Sequence, residues 1–108
     1  MATSYKILGQ SAPAATTATL YTVPASTETV VSTINACNTG AGSATVSIAV
    51  RENGDTLATK HYLVKDLVLP IASVFTYTAG ITINATDVIT VVSSTSDVAF
   101  GAFGSEIA

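Results

Sequence analysis

Apolar and polar residues alternate with a period of two along much of this chain. From Thr45 to Arg51 the pattern is clean: Val46, Ile48 and Val50 share one side, and Thr45, Ser47, Ala49 and Arg51 the other. A strand with one face on a core reads this way, because successive side chains point to opposite faces of a sheet. Thr27 to Cys37 is the longest strand candidate. Its apolar residues fall on both sides, the mark of a strand covered on both faces. Shorter strands are predicted over Tyr5 to Gly9, Leu20 to Val23, Ala58 to Val64 with Leu67 to Leu69, Val74 to Thr78, Ile81 to Ile83, Val88 to Val92 and Val98 to Ile107. Gln10 to Thr19, rich in Ala and Thr and holding Pro13, reads as an extended arm or loop.

Turn residues punctuate these runs. Asn38-Thr39-Gly40-Ala41-Gly42 and Asn53-Gly54 supply residues that accept positive φ cheaply, and Asn-Gly is a strong hairpin signal. Asn84 to Asp87 and Ser93 to Asp97 are further turns, and Pro24 and Pro70 end strands because proline cannot donate to a ladder. Gly101 and Gly104 inside the last strand predict a bulge or a close backbone approach. Eight to nine strands with turns at this spacing predict one all-β domain over residues 1–108. The expected form is an antiparallel β-sandwich, jelly-roll or immunoglobulin-like, with 1–19 as a first strand plus an extended N-terminal arm. Val46, Ile48, Val50, Phe75, Tyr77, Ile81, Ile83, Val88, Phe100 and Phe103 are the expected core.

Composition sharpens this reading. Thr, Val and Ile supply 38 of the 108 residues, and such β-branched side chains suit a pleated sheet better than a helix. Charged residues make up only 10%, with a net charge of −3. Lys6, Arg51, Lys60 and Lys65 form no basic run, which argues against nucleic acid and against a polybasic membrane contact. No apolar run is long enough for a transmembrane helix. The first residues lack a signal-peptide core, so folding in the cytoplasm that makes the protein is expected. A surface so poor in charge suits burial against copies of itself or a host lattice.

Little here points to catalysis. His61 is the only histidine and reads as a surface strand residue; Cys37 is the only cysteine and reads as a small buried hydrophobe. Glu52, Asp55, Asp87, Asp97 and Glu106 fall at turns or strand ends, where carboxylates bond nearby backbone N–H groups. Asn84-Ala85-Thr86 fits the glycosylation pattern and reads as a turn. No enzyme activity, cofactor or metal is expected.

Three stretches carry a resemblance. They are Tyr5-Lys6-Ile7-Leu8-Gly9-Gln10-Ser11 with Leu20-Tyr21-Thr22-Val23-Pro24; Ile48-Ala49-Val50-Arg51 through Lys60-His61-Tyr62; and Ala85-Thr86-Asp87-Val88 with the ending Phe100-Gly101-Ala102-Phe103-Gly104-Ser105-Glu106-Ile107. In this order they resemble small virion structural proteins of tailed bacteriophages, notably marine and cyanobacterial ones. The resemblance implies a non-enzymatic virion component made in the host cytoplasm. The expected role is a capsid decoration, or cement, protein on the head surface. Its partners would be the major capsid protein or other virion subunits, and copies of itself in a homo-oligomer. The second reading is a tail, neck or fibre subunit acting as a receptor- or glycan-binding adhesin. Tyr5, Lys6, Ile7, Gln10 and Pro13 are the expected partner contacts, because the N-terminal arm can lie along a neighbour.

Overall fold

A computed structural model describes residues 2–78 and 80–108; Met1, within the expected N-terminal segment, and Ala79 lie outside the described residues. Nine strands run in order: β1 (Thr3–Ser11), β2 (Thr17–Thr22), β3 (Glu28–Asn38), β4 (Ala44–Arg51), β5 (Tyr62–Leu69), β6 (Val74–Tyr77), β7 (Ile81–Ile83), β8 (Val88–Ser93) and β9 (Val98–Ile107). Among the described residues, helix is confined to two three-residue 3-10 turns, Glu52–Gly54 and Thr59–His61. The expected strands are all present.

The strands form two antiparallel sheets packed face to face. The first, sheet A, has the order β1-β9-β3-β6, with β7 also paired to β3; the second, sheet B, has the order β2-β8-β4-β5. β1 pairs with β9, β2 with β8, β3 with β6 and β7, and β4 with β5, so successive outer partners alternate between sheets. With β6 and β7 counted as one interrupted strand, this is the eight-stranded jelly roll rather than the immunoglobulin arrangement.

The core lies between the sheets. Val31, Ile34, Val46, Ile48, Ile89, Val91 and Val98 are almost wholly buried, and Phe100 and Ala102 of β9 close the layer. Each such Val, Ile or Phe side chain stabilises the fold by about 1.5–3 kcal/mol relative to an exposed one. Of the expected core, Val46, Ile48, Ile83, Val88 and Phe100 are buried, while Val50, Phe75, Tyr77 and Ile81 pack against it half-buried. Phe103 is the exception. It pairs with Thr33 and Ile7 on the outer face of sheet A, because the alternation that points Phe100 and Ala102 inward points Phe103 out.

β4 departs from the expected pattern in one respect. Ser47 and Ala49 do point away from the core, yet both are buried. They are short residues beneath longer neighbours. The Ser47 hydroxyl accepts the Asp66 N–H at 2.9 Å, and Arg51 lies across the same face, its Nε donating to Thr90 Oγ1 at 3.0 Å.

The N-terminal segment is not a free arm. β1 forms an edge of sheet A, β2 an edge of sheet B, and only residues 12–16 link them. Gly9 marks this corner, since a Cβ there would overlap the Leu20 carbonyl. Gly104 does the same where β9 crosses Val30, opposite a register shift in β3 between Val31 and Thr33, so the expected close approach is real. The β4–β5 connection is also longer than a two-residue hairpin. Asn53 and Gly54 take the positive φ values of the expected turn (54° and 67°), but β5 begins only at Tyr62, so residues 58–61 lie outside the strand predicted to include them.

Candidate functional site

Two surfaces concentrate chemistry. The first is the outer face of sheet A. Cross-strand registry lines up Tyr5, Ser105, Val30 and Thr82 in one row, and Ile7, Phe103 and Thr33 in the next. Cys37, Ala99 and Val74 share a row at the far end. Tyr5 is 85% exposed, Val74 57% and Ile7 55%. Glu28, paired with Ile107 at one corner, supplies the single charge along the paired positions of this face among the described residues. Apolar side chains at this exposure, on a sheet face holding one charge, are what solvent-facing sheets ordinarily avoid.

Of the expected partner contacts, the structure brings Tyr5, Ile7 and Gln10 to this face. Lys6 points the other way, toward the end of the sandwich, where its Nζ binds Glu106 Oε1 at 2.7 Å. The Tyr21 hydroxyl donates to the same carboxylate and meets Thr29 Oγ1 at 2.8 Å. The Lys6 hydrogen bond and then that from Tyr21 hold the Glu106 carboxyl below the usual carboxylate range. Burial, reinforced by Glu106, pushes the Tyr21 phenol up to about 12. Pro13 is buried in the β1–β2 link, which removes it as a contact: the segment turns inward to cross between sheets instead of reaching outward. Cys37 is also corrected. It is exposed on the outer face of sheet A, because the β3 residues facing the core are its neighbours Ala36 and Asn38.

The second surface is a cleft of about 360 Å³ at one end of the sandwich. The β4–β5 connection supplies Glu52, Asp55, Lys60 and His61; β7 and the turn after it supply Thr82, Asn84 and Asp87; Val50 lies among them. The walls are tied together. Asp87 Oδ1 accepts the Asn53 N–H and Oδ2 the Asn84 N–H, both at 2.8 Å, and Arg51 Nη1 donates to the Asp55 carbonyl at 2.8 Å. These bonds are the turn chemistry expected of Asp87.

His61 is not the surface strand residue the pattern suggested. It closes the Thr59–His61 turn and is buried, with Nδ1 accepting the Ala58 N–H at 2.9 Å. An accepting Nδ1 carries no proton, so in the neutral ring Nε2 carries it and is a donor. That donor is buried and has no partner. The nearest carboxylate oxygen, Asp55 Oδ2, is 3.7 Å away and stands 3.8 Å from Lys60 Nζ, beyond hydrogen-bond length in both cases.

No family model, curated protein or solved structure matches the chain. The site must be read from its own chemistry. Among the described residues no group of three His, Cys, Asp or Glu side chains is arranged to hold a metal, and no helix is long and apolar enough to cross a membrane. The Asn84-Ala85-Thr86 triplet forms the β7–β8 turn, with the Asp87 N–H bonded to the Asn84 carbonyl at 3.1 Å.

Proposed function

We propose that this protein is a non-enzymatic assembly subunit that docks, in many copies, through the outer face of sheet A. In the phage setting suggested by its sequence resemblance, it would be a capsid decoration protein that ties neighbouring shell subunits together. One observation carries the reading: Tyr5, Ile7, Phe103, Val30, Val74 and Cys37 share a face whose paired positions hold one charge among the described residues, Glu28. Interface cores are depleted in charge and enriched in aromatic residues in the same way.

Size decides how such a face works. Four strands at about 4.8 Å spacing and about nine residues at 3.3 Å give roughly 600 Å². A standard stable interface buries about 800 Å² per partner. One such face therefore binds weakly alone, and repetition around a symmetric ring or across a shell supplies the remaining affinity. Contacts that form only on the completed shell then stabilise it by mass action.

The test uses the full chain. The wild-type protein is expected to self-associate in sedimentation velocity, with Cys37 protected from a thiol reagent as the oligomer forms. The paired substitution Tyr5→Asp, Ile7→Asp changes exposed side chains only, so it should leave the circular dichroism unchanged, give a monomer and free Cys37. A wild-type chain that stays monomeric at high concentration with Cys37 fully reactive refutes self-assembly through this face. Deleting residues 2–19 is not a usable test, because it removes β1 and half of β2.

A further inference from the structure

We infer that the end cleft between the β4–β5 connection and the β7–β8 turn is a binding site for a neutral hydroxylated ligand, a single sugar unit. The inference does not depend on the assembly face, with which the cleft shares one residue, Thr82.

The decisive group is His61. Its side chain is only 6% exposed, it lines the cleft, and its Nε2–H has no acceptor. Leaving a buried donor without a partner is costly, so such groups in folded proteins mostly meet a water or a ligand. Asp55 does not fill the role. Its Oδ2 stands 3.7 Å from Nε2 and 3.8 Å from Lys60 Nζ, and its side chain is 55% exposed and so free to turn. A hydroxyl at about 2.8 Å from both groups spans about 4.6 Å at a tetrahedral angle, so a modest outward turn of the exposed Asp55 admits one that accepts from Nε2–H and donates to Oδ2.

The chemistry of the walls selects the ligand class. A metal ion is disfavoured, because the bond from the Ala58 N–H to Nδ1 leaves the proton on Nε2, and a protonated nitrogen has no lone pair to give. An anion would face the carboxylates of Glu52, Asp55 and Asp87 against the one ammonium of Lys60. Both oxygens of Asp87 already accept backbone N–H groups, so among the charged and ring groups the free acceptors are Glu52 and Asp55 Oδ2 and the free donors are His61 Nε2–H and Lys60 Nζ, while the neutral Thr82 hydroxyl and Asn84 amide offer both kinds. A hydroxyl group both donates and accepts, and a ring carrying adjacent hydroxyls meets this alternation several times over. Val50 offers an apolar patch for the C–H face of such a ring. A cleft of about 360 Å³ lies at the lower end of the roughly 300–1,000 Å³ usual for small-molecule sites, which suits one sugar. Among the described residues no Phe, Tyr or Trp lines the cleft, so the expected affinity is millimolar.

The test is a titration of the full-length, isotope-labelled chain with D-glucose, D-galactose and D-mannose, followed by proton–nitrogen correlation spectra. Glycerol and calcium chloride are the comparison arms. At least one sugar should produce saturable shifts at Ala58, His61, Thr82 and Asn84, and leave the signals of Tyr5, Ile7 and Cys37 in place. Asp55→Ala, at an exposed loop position, should keep the fold and weaken that sugar about tenfold, as expected for one lost hydrogen bond to a charged group. His61→Phe keeps a planar ring, somewhat larger, and removes the Nε2–H donor together with the Nδ1 acceptor of the Ala58 N–H; the folded variant should show no shifts. Three results would overturn the assignment: no response to any of the sugars, an equal response to glycerol at the same concentration, or a response to calcium alone. An undiminished sugar response in Asp55→Ala would overturn the pose.

Discussion

Replacing Asn38 with Ala should destabilise this protein by about 3 kcal/mol, more than an ordinary polar substitution. Asn38 ends β3 and is 2% exposed. Its Nδ2 donates to the Gly42 carbonyl at 2.8 Å and to the Leu69 carbonyl at 3.0 Å, and its Oδ1 accepts the Gly40 N–H at 3.0 Å. One side chain thus fixes the β3–β4 turn and ties the end of a strand in sheet A to the end of β5 in sheet B. Three hydrogen bonds at about 0.5–1.5 kcal/mol each give roughly 1.5–4.5 kcal/mol. The Gly40 and Gly42 groups can turn to water, whereas Leu69 is 3% exposed and its carbonyl stays buried, which keeps the cost in the upper half of that range. Urea unfolding at neutral pH measures it. Asn38→Asp sharpens the test, because it keeps the shape but turns both donor positions into acceptors facing carbonyls. Burial there holds the new carboxyl above the ordinary Asp value of about 3.9. Its penalty relative to wild type is therefore complete above that raised pKa and shrinks as pH falls toward the unfolded value, where the neutral acid can again donate one bond. A loss below about 1 kcal/mol for Asn38→Ala, or a pH-independent penalty for Asn38→Asp, would show that the three bonds are not made as described.

Two further outcomes follow from the same structure. Phe100→Ala should cost about 3–5 kcal/mol in denaturant unfolding, since the ring is 3% exposed at the centre of β9; a loss under 1 kcal/mol would remove it from the core. The Lys6–Glu106–Tyr21 cluster should act at both ends of the pH scale. Glu106, held below its ordinary range, adds stability above about pH 4.3 that is lost as pH falls through its lowered pKa; Lys6→Met should move its carbon resonance titration upward. Tyr21, pushed up to about 12, adds stability at and below its ordinary pKa near 10 that is lost as pH rises through about 12, and phenolate absorbance in the folded protein should show one late-titrating tyrosine.

The strands were legible because period-two patterning and β-branched content act locally. Thr45 to Arg51 needed no tertiary information, and β9 runs over the residues its pattern marks, Val98 to Ile107. What sequence could not supply was which side of each strand meets the other sheet. The alternation of β9 was readable, but choosing Phe103 for the core required ignoring that Phe100 and Phe103 are an odd number of residues apart, a signal that was present. Cys37 lay within a strand apolar on both sides, where only pairing decides that Ala36 and Asn38 face inward. Burial of Asn38 was also hidden, since Asn before Gly reads as turn chemistry, and its bond to Leu69 spans 31 residues. The cleft was least legible of all. Its residues come from two connections far apart in sequence, and nothing local distinguishes His61 from a strand residue until Ala58 is seen to bind Nδ1.

The pairing of β1 with β9 has a kinetic side. Among the described residues β1 pairs with β9 alone, and the backbone groups of Ala2 and Ala108 bond to each other at 2.9 Å. A chain emerging from the ribosome must therefore hold Tyr5 and Ile7 without their sheet until β9 has emerged. Loop-closure entropy is incurred before this contact gives any return, so closing the roll should be slow and must wait for β9. During that wait the exposed strand can pair with its counterpart on a neighbouring chain, and a rise in expression temperature that outpaces closure should increase aggregation well before it melts the finished fold.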